Sequence, residues 1–155
     1  MKLLVSFILT FIAGAVGSAF TFSEITSWYS TLNKPFFSPP NWVFGPVWTI
    51  LYILMGISLY LFWKTKVNNK LKKVKKNGFV FFGIQLVLNS LWSILFFGLH
   101  NPGIAFLEII FLWLSILLSI KYFQKVSKTS AYLLVPYILW VTFASLLNFA
   151  VWQLN

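Results

Sequence analysis

The sequence predicts an all-α membrane protein, a bundle of five transmembrane helices. Three observations predict it. Of 155 residues, 59% are hydrophobic and only 9% charged, whereas a water-soluble domain carries about 25% charged residues to dress its surface. Five continuous apolar runs reach the roughly 20 residues that a helix needs to cross a bilayer core of about 30 Å. The runs are unbroken rather than alternating, so helices are expected and not a barrel. The third observation is the placement of the lysines, which sorts the loops onto two sides.

The spans are expected at residues 3–22, 44–63, 78–99, 103–120 and 131–152, within one transmembrane domain covering 1–155. The first span follows Lys2 and ends near Gly17, Ser18 and Ala19, which resembles a secretory signal. Its apolar stretch runs too long for one, so it is expected to stay as a span. Ala13/Gly17 and Gly14/Ser18 are small residues four apart, the spacing that lets two helices approach closely. The sequence leaves open whether the approaching helix belongs to this chain or to a second copy.

The connection 23–43 is the one long loop. Pro35, Pro39 and Pro40 stiffen it by fixing φ. Trp28 and Trp42 fit an interfacial aromatic belt. In the second span Pro46 falls in the first turn, where its missing N–H costs little. Trp48 and Tyr52, four apart, share a helix face one to two turns inside the span.

The third span carries Gln85, Asn89 and Trp92 on one face. Amides at that depth should not meet lipid, where an unsatisfied amide costs several kcal/mol. Two readings stay open: glue between helices, or a polar handle inside a cavity. The fourth span holds Glu108 about two turns from its start. An acid within a span is a functional candidate; near a helix start it also has a structural reading, because the helix dipole stabilises an anion there. The fifth span spaces Pro136, Trp140, Ala144, Asn148 and Trp152 four apart. Packed together, the aromatic-plus-polar faces of spans two, three and five would enclose an apolar pocket with few polar groups, suited to a flat apolar ligand.

All twelve basic residues are lysine, and Glu24 and Glu108 are the only acids, giving a net charge of +10. Eleven lysines fall on the side of the N-terminus and the second and fourth loops, and Lys34 alone on the other. The N-terminus is therefore expected in the cytoplasm and the C-terminus outside. This asymmetry accounts for the run Lys64–Lys76 by topology, with contact to anionic lipid as the other reading. Nucleic acid is not an expected partner, since no aqueous basic surface with Arg forks exists. Absence of Cys removes disulfides and thiolate chemistry. One His, no Asp and two Glu cannot build a Ser-His-Asp triad, a conventional zinc site or a two-metal centre, so no metal is expected. No Gly-rich phosphate loop and no internal repeat are present. His100, between spans three and four, reads as an interfacial or capping residue before it reads as a haem ligand. Exclusive Lys usage with abundant Asn, Phe and Ile suggests an AT-rich bacterial genome, hence a plasma membrane.

The stretch Trp28-Tyr29, Lys34-Pro35, Pro39-Pro40, Trp42, Phe44-Gly45-Pro46-Val47-Trp48, Leu51-Tyr52 and Gly56 resembles the signature of the tryptophan-rich sensory protein / translocator protein (TspO/MBR) family. So do the segment from Asn89 to Trp92 and the segment Pro136-Tyr137, Trp140, Phe143-Ala144, Leu147-Asn148, Val151-Trp152. The resemblance implies a homodimer of five-helix bundles that binds porphyrins such as protoporphyrin IX and haem as ligands, with no required cofactor. It also implies binding of benzodiazepine-type and isoquinoline compounds. Carried over by residue, the ligand site would comprise Tyr29, Pro39, Trp48, Asn89, Trp92, Trp140, Ala144 and Asn148; Tyr52 joins it by sharing the Trp48 face. Some bacterial members are credited with light-dependent porphyrin breakdown at pocket tryptophans, and Trp48 and Trp140 stand at those positions. The cholesterol motif of animal members needs Tyr followed by a cation; here Phe149 stands in a segment without one, which argues against cholesterol. Two functions follow: sensing, sequestration or transport of tetrapyrroles, or an enzyme oxidising porphyrin in light.

Overall fold

The computed structural model describes residues 1–155 and is all-helical. Helix α1 spans Lys2–Thr21, a short α2 Trp28–Thr31, α3 Phe44–Lys64, α4 Asn69–Ser93, α5 Pro102–Gln124, α6 Lys128–Leu133 and α7 Val135–Leu154. A 3-10 turn, Asn41–Val43, leads into α3, and a π turn, Ile94–Gly98, extends α4. Five helical segments are long and apolar enough to cross a membrane. The chain is a multi-pass membrane protein on that ground. Around the bundle, α1 packs between α3 and α4, α4 against α5, and α5 against α7. The ring is weakest between α3 and α7, where direct contact is slight.

Local chemistry sets the helix ends. Asn68, Asn101 and Ser127 cap α4, α5 and α6, each side chain accepting a hydrogen bond from a first-turn N–H. Pro102 follows its cap directly, where a missing N–H is harmless. Three boundaries differ from the sequence expectation, one of them the end of α5, which runs to Gln124 rather than 120. The third helix begins at Asn69, so Lys70, Lys72, Lys73, Lys75 and Lys76 lie on helix rather than loop. Lys75 also has a structural use: its Nζ donates to the Trp63 and Thr65 carbonyls at the end of α3. The last apolar run is divided at Leu134, because Pro136 has no N–H to continue the preceding helix and crowds the carbonyl four residues back.

Side chains fill the lysine end of the bundle. The Phe62 and Phe123 rings stack at 3.7 Å, nearly parallel at 5°, and Phe82 stacks on Phe123 at 5.5 Å. Gly78 permits this: a Cβ there would lie 2.5 Å from the Phe62 ring. The small residues of α1 find their partners within this chain. A Cβ at Gly14 would meet the Tyr52 ring at 2.6 Å, one at Gly17 would meet Ser93 Oγ at 3.1 Å, and Ser90 Oγ donates to the Ala13 carbonyl at 3.0 Å.

Candidate functional site

At the opposite end the helices do not close on each other. A cavity of about 540 Å³ opens there, lined by the second half of α1, the first half of α3, the end of α4 and the middle of α7. That volume is within the range of small-molecule sites. The loop 23–43 roofs it. Asn33 and Asn155 fasten the roof to the end of α7: Asn33 N donates to Asn155 Oδ1 at 2.9 Å, and Asn155 Nδ2 to the Asn33 carbonyl at 3.0 Å. Trp28 stacks on His100 at 4.4 Å, and His100 Nε2 lies 3.0 Å from Glu24 Oε2. His100 is thus engaged outside the cavity and does not line it.

The structure gathers most of the expected residues around this one cavity. Tyr29, Trp48, Tyr52, Asn89, Trp92, Trp140, Ala144 and Asn148 all line it. Pro39 does not. It lies just past the turn in which Ser38 N bonds the Pro35 carbonyl at 3.0 Å, so it shapes the roof rather than the wall. Within the stripe of the fifth span, only Trp140, Ala144 and Asn148 reach the cavity. Trp152 instead stacks on Phe106 at 5.9 Å, and Pro136 starts α7. Gln85 lies away from the cavity, its Nε2 on the Met55 sulfur at 3.9 Å.

The amides meet partners within the protein. Asn89 Oδ1 accepts from the Tyr52 hydroxyl at 2.6 Å, and its Nδ2 donates to the Tyr137 hydroxyl at 3.0 Å. Asn148 Oδ1 accepts from Trp92 Nε1 at 2.9 Å, and its Nδ2 donates to the Pro102 carbonyl at 2.7 Å. Both side chains are buried, so these bonds tie α3, α4, α5 and α7 together around the cavity. One N–H and the carbonyl oxygen of each amide are thus engaged as glue between helices, which leaves one N–H on each.

Two other donors remain. Trp140 Nε1 and the Tyr29 hydroxyl are buried and have no hydrogen-bond partner. A buried donor left unpaired costs about 1–3 kcal/mol, so each is a place where a ligand acceptor gains. Burial pushes the Tyr29 phenol up from its ordinary value; the Ser38 hydroxyl lies beside it but makes no well-formed hydrogen bond to it. Tyr29 therefore stays a neutral donor at physiological pH. Aromatic surface supplies the remainder. Trp48 stacks on Tyr52 at 5.6 Å, Phe44 meets Trp140 edge-on at 6.1 Å, and Trp92 stacks on Phe96 at 5.1 Å. The cavity wall carries no His, Asp or Glu.

Sequence reasoning missed two parts of the wall. The first is α1, whose Phe11, Gly14, Gly17 and Ser18 face the cavity. Its signal was present in the small residues, which open space for a ligand as well as for a helix. The second is the π turn, which places Phe96 and Phe97 on the wall. No periodicity in the sequence announces an i to i+5 bond such as Leu99 N to the Ile94 carbonyl at 2.8 Å. Glu108 is also clarified. It is 7% exposed, lies beyond the first turn of α5, and neither carboxyl oxygen has a partner. The cap of α5 is Asn101, and Glu108 stands past the first turn, where the pull of the helix dipole on an anion has faded.

Comparison with known proteins agrees with this arrangement. A family model described as the TspO/MBR family matches residues 6–153. The chain is 47% identical to the tryptophan-rich protein TspO of Archaeoglobus fulgidus, covering 100% of this chain and 97% of that one. It is 46% identical to the tryptophan-rich protein TspO of Chlorobaculum tepidum, over 92% of this chain and 88% of that one. It is 39% identical to the human translocator protein, over 90% and 82% respectively. The match extends over nearly every residue that builds the bundle and its cavity, and the chain belongs to the TspO/MBR family.

Proposed function

We propose that this protein binds tetrapyrroles, protoporphyrin IX and haem among them, in the cavity roofed by the loop 23–43, for sensing, sequestration or transport. One observation carries the reading: an aromatic cavity in whose wall Trp140 Nε1 and the Tyr29 hydroxyl are buried without any hydrogen-bond partner. A porphyrin is flat and polarizable, and aromatic pairs gain about 0.5–1.5 kcal/mol beyond simple burial. Its propionates are acceptors for the two free donors. Lys34 adds the nearest cation, with its Nζ 4.5 Å from the Tyr29 ring centre. Benzodiazepine-type and isoquinoline compounds, flat and with few acceptors, suit the same cavity. The protein acts in the bacterial plasma membrane as a homodimer, with its N-terminus in the cytoplasm and the cavity toward the outside.

A second reading rests on Trp48 and Trp140 lining that same cavity: light-dependent oxidative breakdown of the bound porphyrin. One experiment separates the two. Purified protein is titrated with protoporphyrin IX, following tryptophan quenching, and the complex is then illuminated while the Soret band is recorded. A saturable complex that bleaches no faster than free porphyrin supports binding alone. Faster bleaching to a defined product, lost in Trp48→Phe, supports the enzyme. Absence of saturable quenching refutes both.

A further inference from the structure

The roof is fastened at two places of different chemistry. At the end of α7 the tie is neutral, an exchange of hydrogen bonds between Asn33 and Asn155. Where α4 gives way to α5 the tie involves charge. His100 Nε2 lies 3.0 Å from Glu24 Oε2, and the imidazole face stacks on Trp28 at 4.4 Å and 16°. Glu24 and Trp28, both of the roof, thus hold one ring by its edge and its face. Ser27 steadies the acid, its Oγ donating to Glu24 Oε2 at 3.2 Å.

The bundle side of this tie has a fixed root. His100 follows the π turn with φ 50°, the left-handed backbone that commonly ends a helix. On either side of it, Leu99 N and Asn101 N return to the Ile94 and Leu95 carbonyls at 2.8 and 3.1 Å. The roof side reaches the cavity. Trp28 meets Phe96 edge-on at 5.6 Å, and the next residue, Tyr29, is buried on the cavity wall. Since α2 is a single turn, Trp28 cannot leave His100 without shifting Tyr29.

Glu24 is the one acid within ion-pair reach of His100. Among the surrounding elements, α1 and α4 bring no titratable side chain to this end, α5 brings Glu108 and α7 brings Tyr137, both buried. On the roof, Lys34 Nζ stands 4.5 Å from the Tyr29 ring centre. Every other lysine belongs to the opposite end of the bundle. The side chains of His100 and Glu24 are 44% and 27% exposed, so water exchanges protons with both. Imidazole takes up its proton across about pH 8 to 5, a range in which a carboxylate keeps its charge. A neutral imidazole offers Glu24 at most an ordinary hydrogen bond. A protonated one offers a charge-assisted bond, roughly twice as strong, and sets a cation against the indole face.

We propose that His100, Glu24 and Trp28 form a proton-operated latch. With His100 protonated, the roof is held over the aromatic cavity; with His100 neutral, α2 lifts and Tyr29 leaves the wall. A bound ligand is therefore retained in acid and exchanged at alkaline pH. That consequence rests on the cavity taking a ligand, whereas the latch itself does not.

Two readouts separate the latch from the ligand. The first is hydrogen–deuterium exchange of residues 23–33 in the ligand-free full chain, at pH 8 and pH 5.5, each rate divided by that of unstructured chain at the same pH. Protection should rise about two- to fivefold in acid, the range of one exposed ion pair. Glu24→Gln and His100→Asn should each flatten that rise; Asn accepts the left-handed backbone, so the turn survives. The second readout is the dissociation rate of protoporphyrin IX, which should slow by a similar factor in the parent relative to either variant. Comparison at equal pH removes the titration of the porphyrin itself. Roof protection that does not change with pH in the parent would overturn the latch, as would a rise that persists in both variants. A roof that tightens while the parent and the variants release porphyrin alike would overturn the gating. A parent that binds no porphyrin yet keeps its pH-dependent roof would refute the tetrapyrrole reading and support the latch.

Discussion

The two ends of this bundle are built from the same kinds of residue and do opposite things. At the lysine end Phe62, Phe82 and Phe123 stack face to face, and Gly78 makes room for them. At the other end Trp48, Trp92, Trp140, Phe96 and Phe97 stand around about 540 Å³ of unfilled space. The difference lies in what the backbone allows. The α3–α7 seam is loosely joined, the π turn swings two phenylalanines onto the wall, and a pinned loop roofs the opening. Aromatic rings packed on one another hold the fold. Rings left facing a void, with an unpaired indole N–H among them, make a site.

That contrast is open to attack by substitution. The largest effect is expected from Ala144→Phe, which puts a ring into the cavity. Porphyrin affinity should fall more than about 100-fold, near 2.7 kcal/mol, while unfolding in detergent stays as in the parent. Filling the solid end should do the reverse. Gly78→Leu forces its side chain into the Phe62–Phe123 stack, and such overpacking costs about 1–3 kcal/mol. Thermal unfolding should drop clearly, and the folded fraction should still bind. Gly45→Ala is its counterpart on the cavity wall, where an added Cβ meets nothing, and it should leave unfolding unchanged.

Smaller effects sharpen the picture. Trp140→Phe keeps an aromatic ring but deletes the unpaired N–H. Removing one hydrogen bond of about 0.5–1.5 kcal/mol should weaken porphyrin binding roughly three- to tenfold. An unchanged affinity would show that Nε1 does not meet the ligand. The smallest effect is expected at Glu108. It lies outside the cavity wall, so Glu108→Gln should leave affinity within about threefold, under ~0.7 kcal/mol, by the same quenching titration.

Much of this contrast is legible in the sequence, and the limits are physical. Continuous apolar runs announce the spans because lipid forbids unsatisfied backbone. The four-residue spacing of Trp140, Ala144 and Asn148 marks a common face, and the structure puts all three on the cavity. Spacing says nothing about which partner an amide chooses. Asn89 reads equally as glue or handle, and only its bonds to the Tyr52 and Tyr137 hydroxyls show that it serves as glue. Trp152 continues the same spacing yet packs on Phe106, since the face of α7 rotates past the cavity before its end. Gly14 and Gly17 signal a close approach, but the open volume beside them depends on where α3 and α7 part. Pro39 stands in the stretch that carries the family resemblance, yet it lies outside the cavity wall.

The central claim is a place: a planar tetrapyrrole in the aromatic cavity rather than elsewhere on a very apolar surface. The most direct measurement is an experimental structure of the protein with protoporphyrin IX bound. The macrocycle should lie in van der Waals contact with Trp48 and Trp140, with a propionate oxygen within hydrogen-bond reach of Trp140 Nε1 or the Tyr29 hydroxyl. A porphyrin found on the outer face of the bundle with the cavity empty would contradict the account.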